Sequence, residues 1–279
     1  MPNYGYHLAR AQGHAIRRAY AAALPLIVRA RIKTPRELPF EVFSYSGERD
    51  LPEQIASIRS LLIHAGRPRK FTVVSDGTHS PQSVALLKAL DTVVAVSDAG
   101  EWVHEDLPAA FRAYLREHPT GKQLAVIMSL PVHAPALYID SDVRFFAGAD
   151  QLAAFMAANH APASYLPDCG LSADQRLFRS AAEEANPVNT GVLFLREKLD
   201  WSASIGRFLE LNGAPTFFTN QTMTHLTMHA NAAEPLDHRR FVLRLDDQFV
   251  YADRYAGREI VLRHYVNPVR HKFWTAFRR

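Results

Sequence analysis

Between residues 40 and 96, short runs of β-branched and aromatic residues alternate with longer stretches of helical period, and this alternation constrains the fold more than any other feature. Residues 40–45 (Phe40-Glu41-Val42-Phe43-Ser44-Tyr45) read as a strand, 52–65 as a helix with Ile55, Ile58, Leu61 and Leu62 on one face, and 71–75 as a second strand. That is a βαβ unit. Residues 80–90 follow as a helix with Pro81 in its first turn, and 92–96 as a third strand. The order predicts an α/β domain with a mainly parallel sheet covered by helices. Further helices are expected at 107–117, 122–130, 151–159, 201–211 and 220–228, strands at 192–195, 241–245 and 260–265, and irregular chain over 161–185.

The central stretch Ala136-Leu137-Tyr138-Ile139-Asp140-Ser141-Asp142-Val143 is an apolar run that delivers two carboxylates at its end. Open α/β sheets hold ligands at the C-terminal ends of their strands. Residues two apart in extended chain point the same way, so a strand persisting through Asp142 would let Asp140 and Asp142 share a divalent ion. Ser141 would face elsewhere. A chain of this composition contains roughly one Asp-x-Asp by chance, so the context carries the signal.

Two carboxylates leave such an ion short of donors. His264 ends an apolar strand as the aspartates do and is followed by Arg270, His271 and Lys272. An oxygen-rich set with one imidazole suits Mn²⁺ or Mg²⁺ better than structural zinc. It also leaves charge on the ion for an anionic diphosphate, to which Lys272 would add a further cation.

Length and composition bound the rest. With 279 residues, 48% of them hydrophobic, the chain can bury one large core. The single cysteine, Cys169, forms no internal disulfide, which points to a cytoplasmic protein. The apolar run 19–28 is too short to span a membrane and fits a short helix. Residues 1–38 hold seven Lys and Arg (Arg10, Arg17, Arg18, Arg29, Arg31, Lys33, Arg36) and one acid, Glu37, while the remainder has 25 bases and 27 acids. The net charge of +4 therefore belongs to a basic, partly helical leader, and Pro35, Pro39 and the charge shift mark its join to a single domain over 39–279. A packing helix accounts for the leader; peripheral contact with the cytoplasmic face of an anionic membrane is the other use of such charge. No nucleic-acid module is visible.

Four short motifs in order now resemble a known family. Asp140-Ser141-Asp142 after an apolar strand, Asn189-Thr190-Gly191-Val192 opening the next, Asn220-Gln221 at a helix start, and His264 with a downstream Lys-x-Trp resemble the retaining GT-A glycosyltransferases of family 8, the glycogenin and lipopolysaccharide galactosyltransferase type. The resemblance spans most of residues 40–274. It implies a GT-A nucleotide-diphospho-sugar transferase fold. It also implies a Mn²⁺ held by Asp140, Asp142 and His264 on the diphosphate of a sugar nucleotide, and transfer to a glycan, lipid or protein acceptor.

By the same resemblance, Asn189 lies near the donor sugar and Gln221 near the anomeric carbon. Asn220 stands where the family has Asp. The family's His-x-x-Gly-x-x-Lys-Pro-Trp is altered too: Asn267 takes the glycine place and Lys272 comes two positions late, so Lys272 and Arg270 both qualify for the diphosphate. In a GT-A fold Ser44, Tyr45 and Asp76 would lie by the nucleoside, with Tyr45 stacking on the base; Lys122 and Ser141 complete the donor set. An inverting reaction would need a carboxylate base, for which Asp168, Asp174, Asp246 and Asp247 are candidates.

Competing readings are fewer. An aspartyl-phosphate phosphatase would carry its Asp-x-Asp on the first strand, and a nucleotidyltransferase would want a glycine-rich loop where residues 44–51 offer only Gly47. The serious alternative is a non-catalytic module that binds a nucleotide sugar or glycan on the same fold, favoured by Asn220 and the altered last motif.

Overall fold

The computed structural model describes residues 3–34 and 36–276; Pro35, part of the predicted join, lies outside them. Two helices, α1 (Tyr4–Ala22) and α2 (Leu24–Ile27), precede the sheet. β1 (Glu41–Ser46) and β2 (Phe71–Ser75) then pair in parallel, Val42 opposite Phe71 and Ser46 opposite Ser75, with α3 (Leu51–His64) as the crossover. Ile55, Ile58, Leu61 and Leu62 are fully buried, as the helical spacing predicts, and α3 is buried on most of its other sides as well, Gln54 and Ser57 included. Each such side chain contributes about 1.5–3 kcal/mol. α4 (Pro81–Lys88) starts at Ser80, whose hydroxyl accepts from the Ser83 N–H, and β3 (Val94–Asp98) adds in parallel beyond β2.

α5 (Ala109–Glu117) and α6 (Pro119–Met128) lead into β4 (Ala136–Ile139), which is wholly buried and parallel to β1. Here the structure departs from expectation. The strand ends at Ile139, and Asp140 to Asp142 form a turn in which the Val143 N–H donates to the Asp140 carbonyl at 3.2 Å. β5 (Val143–Phe145) then leaves the main sheet. The two aspartates are thus brought together by a turn between sheets rather than by strand pleat.

After α7 (Leu152–Ala158) comes β6 (Ala163–Pro167), inside the stretch expected to be irregular. Ala-Ser-Tyr-Leu-Pro has no β-branched residue and ends in proline; pairing with β7 (Val188–Leu195) makes it a strand, which is tertiary context overriding local preference. α8 (Ser202–Leu209), α9 (Thr219–Ala230), β8 (Glu234–Pro235), β9 (Phe241–Val242), β10 (Leu262–His264) and α10 (Lys272–Thr275) complete the chain. The seven-stranded sheet has the order β3-β2-β1-β4-β7-β6-β8, and β7 alone runs against the other strands. A small second sheet, β5-β10-β9, stands beside it.

The basic leader packs on the last helix. Arg17 of α1 donates to the buried carboxylate of Glu53 at 2.5 Å, and the Trp274 indole of α10 donates to the same group at 3.0 Å. Tyr20 lies against Trp274, with ring centroids 5.1 Å apart. A Cβ on Gly13 would meet the His271 carbonyl at 2.4 Å, so the helix can approach only with glycine there.

Candidate active site

β10 pairs antiparallel with β5, and the register places His264 opposite Val143, the residue after Asp142. The Tyr265 N–H donates to the Asp142 carbonyl at 3.0 Å. One ladder therefore closes a sequence gap of 122 residues. His264 Nε2 lies 3.0 Å from Asp142 Oδ1 and 3.5 Å from Asp140 Oδ2, and one ligand atom from each of the three lies within 4.8 Å of the others.

The surrounding groups aim these three. His264 Nδ1 is 2.9 Å from Asn189 Oδ1, which also accepts from the Gly191 N–H, while the Asn189 amide donates to Asp168. That polarity assigns the Nδ1 proton to the Asn189 bond and leaves Nε2 facing the carboxylates. Asp140 Oδ1 accepts from the Gln123 amide at 2.8 Å and the Tyr138 hydroxyl at 3.0 Å, leaving Oδ2 toward the imidazole. A Cβ on Gly191 would fall 2.1 Å from His264 Cε1, so the glycine of Asn-Thr-Gly is required by the approach of the ring.

Charge is concentrated here. Burial works against the His264 imidazolium, but Asp142 and Asp140 outweigh it and carry its pKa above the ordinary value. Burial raises the Asp140 carboxyl; at Asp142 burial acts in the same sense, but His264 and Arg270 reverse it and hold that carboxyl below the usual range. The sign follows for pH. A proton on Nε2 competes with a metal there, so the affinity for a divalent ion is expected to fall as pH drops through the raised His264 value, which calorimetric metal titrations at a series of pH values would record. In the metal-free protein the His264–carboxylate pairing contributes stability below the unfolded histidine value and loses it as pH rises through the folded one.

These groups open on a cleft of about 470 Å³ whose wall includes Asp140, Asp142, Asn189, Asn220, Gln221, His264 and Arg270. Arg270 Nε lies 3.6 Å from Asp142 Oδ2, and its terminal amine donates to Asp50 at 2.7 Å. Gln221 donates to Asp168 at 3.1 Å and to the Ser172 carbonyl at 2.9 Å.

Other expected residues lie off that wall. Lys272 is fully buried, its ammonium donating to the carbonyls of Val250 and Ala252 at 2.9 and 2.7 Å and lying 3.3 Å from Asp247. Two positions beyond Arg270, on α10, it turns into the 245–256 loop and is unavailable to a diphosphate in the cleft. The buried Ser44 spends its hydroxyl on Gln54, and Ser141 is buried off the wall. Tyr45, Asp76 and Lys122 gather at the ends of β1 and β2, where Lys122 donates to the Asp76 carbonyl at 2.8 Å. Asn267 is outside the left-handed region, and its peptide bond to Pro268 is cis. Of the four base candidates only Asp168 reaches the cleft: Asp174 pairs with Arg176, Asp246 with Tyr255 and Asp247 with Arg263.

Sequence reasoning missed Gln123. On α6 it links both halves of the site, donating to Asp140 and accepting from the Asn220 amide at 2.8 Å. A polar residue at the second position of a predicted helix carries no local signal, and only the fold puts it beside Asp140. Gln123→Glu sets a carboxylate against Asp140 Oδ1, and Mn²⁺ affinity measured by titration will fall roughly 10–100-fold, the usual cost of a lost supporting partner.

Comparisons agree on the architecture. No protein family matches the sequence, and no curated protein does. Solved structures do. A galactosyltransferase LgtC, in complex with donor and acceptor sugar analogs, aligns over 85% of this chain and 95% of its own, with a TM-score of 0.55 and 11% identity. Mouse xyloside xylosyltransferase 1 aligns over 84% of this chain and 99% of its own, at 0.54 and 12%. The bifunctional glycosyltransferase WbbM aligns over 88% of this chain and 50% of its own, at 0.56 and 11%. The chain has the GT-A glycosyltransferase fold. Within it the Asp-x-Asp turn and His264 occupy the edge between the two sheets, at the C-terminal end of β4.

Proposed function

We propose that this protein is a metal-dependent glycosyltransferase that moves a sugar, with retention, from a UDP-sugar to a glycan, lipid or protein hydroxyl. The observation that carries the reading is the convergence of Asp140, Asp142 and His264 at the mouth of a cleft on a GT-A fold. The donor set fits Mn²⁺ or Mg²⁺: two carboxylates and one imidazole, with Asp140 Oδ2 and His264 Nε2 turned toward each other. A bound ion supplies Lewis-acid stabilisation of the departing diphosphate.

The chain's own groups do the rest. Arg270, the one of the two candidate cations that lies beside Asp142 on the cleft wall, meets negative charge as it grows on the leaving phosphate. Gln221, Asn220 and Asn189 line the part of the cleft where the donor sugar would lie, and Asn220 sets a neutral group where the family it resembles has a carboxylate. Asp168, whose Oδ2 accepts from Asn189 and Gln221, is the carboxylate of the cleft wall outside the metal group and orients the incoming hydroxyl. Cys169 alone among cysteines supports a reducing, cytoplasmic setting.

A panel of nucleotide sugars assayed for release of nucleoside diphosphate, with and without Mn²⁺, tests the proposal. Mn²⁺-dependent release from at least one donor is expected; binding without turnover on any donor would leave the non-catalytic module instead. The two cations separate cleanly. Arg270→Ala is expected to lower kcat by about 10²–10³-fold with the melting temperature nearly kept. Lys272→Ala, which removes a buried charge from the Asp247–Arg263 cluster, is expected to destabilise the fold by about 3–5 kcal/mol.

A further inference from the structure

The inward face of α1 is accounted for by Ala9, Gly13, Arg17 and Tyr20, which pack on α3 and α10. Its outward face is unusual. With 3.6 residues per turn, Tyr4, Leu8, Ala11, Ala15, Ala19 and Ala22 fall on one side, and all six are exposed. Tyr4 is 76% and Leu8 61% exposed. A solvent-facing helix surface ordinarily carries polar residues, so this one is inverted.

The loop 249–251 lies against the start of α1: a Cβ on Gly5 would be 3.2 Å from the Tyr251 nitrogen and 3.4 Å from the Phe249 carbonyl, and the Tyr251 hydroxyl donates to Gln12. Phe249 and Tyr251 are themselves 58% and 45% exposed, and the Phe249 ring packs on Tyr6, 6.1 Å between centroids, to the side of the stripe. Beside the stripe runs an exposed basic row, Arg10, His14 and Arg18, one turn apart. Arg29, Arg31 and Lys33 continue the charge, and Glu37 is the first acid of the sequence.

We propose that this face lies on an anionic lipid bilayer. Tyr and Leu side chains at one end enter the interface, the alanines let the helix lie flat, and the arginines meet the headgroups. A second copy of the chain is a poorer occupant, because α1 packed on α1 would set one basic row against another with no acid to answer it. The loop that carries Phe249 and Tyr251 begins at Leu245 on the cleft wall, so docking would bring the cleft toward the membrane surface. The patch stands on its own geometry and does not rest on the reading of the cleft.

Vesicle co-sedimentation of the full chain tests it. Binding is expected to phosphatidylcholine vesicles containing about 30% phosphatidylglycerol, not to phosphatidylcholine alone, and to weaken as salt rises. Arg10→Gln with Arg18→Gln should lower partitioning about 25-fold, at about fivefold per cation near the surface. Leu8→Glu should abolish it while leaving the melting temperature and Mn²⁺-dependent nucleotide binding unchanged, which separates this surface from the cleft. No sedimentation with anionic vesicles, or Leu8→Glu sedimenting like the unaltered chain, would overturn the proposal. So would a dimer in sedimentation velocity that Leu8→Glu dissociates without any vesicle binding.

Discussion

Asp142→Ala will lower Mn²⁺-dependent release of nucleoside diphosphate by about 10³-fold or more, and His264→Ala will do the same. Both side chains face one point, Asp142 from the turn before β5 and His264 from the end of β10, 3.0 Å apart, with Asp142 held ionised by His264 and Arg270. Removing either leaves an ion with two protein ligands. The thermal stabilisation that saturating Mn²⁺ confers, about 2.7 kcal/mol at a hundredfold excess over Kd, will vanish with it. Because the pair acts on one ion, the double variant will be little worse than either single one. A His264→Ala protein that kept full metal-dependent turnover would remove the basis of the proposed chemistry.

Gly191→Ala will damage the same site without touching a ligand. Its methyl would sit 2.1 Å from His264 Cε1, and the ring cannot retreat: it is 3% exposed, bonded through Nδ1 to Asn189 and flanked by Asp142. Nor can the backbone shift freely, since the Gly191 carbonyl accepts from the Asp140 N–H at 2.9 Å. Overpacking of this kind costs about 1–3 kcal/mol, and displacement of the ring will weaken Mn²⁺ binding by at least about 10–100-fold. Gly206→Ala is the control. It lies inside α8 with nothing within 4 Å of the added Cβ, and there the substitution should stabilise by up to about 1 kcal/mol. Thermal melts and metal titrations of the two variants decide the matter.

Much of this was legible in the residues. The apolar periods of α3 and the β1 and β2 runs identified the parallel start because burial of one face is a local property of spacing. Asp140 and His264 were readable for a similar reason, since one follows and the other ends an apolar strand whose burial the sequence displays, and Asp142 was singled out with Asp140. Where the pattern is weak, reading failed. β6 owes its existence to its partner strand, and the Asp-x-Asp pair converges through a turn that no alternation announces.

What the sequence by itself determined was the alternation of strands and helices from β1 to β4, the placing of an acid pair just after β4 and of a histidine at the end of β10, and the concentration of positive charge before residue 39. Tertiary structure alone decided that Arg270 and not Lys272 faces the cleft, that Gln123 braces Asp140, and that α1 turns an apolar stripe outward. The physical reason is one of range. Hydrophobic period and strand-end position are written within a few residues, whereas the neighbour of a side chain is set by contacts between distant segments, 122 positions apart for His264 and Asp142 and 220 for Arg270 and Asp50.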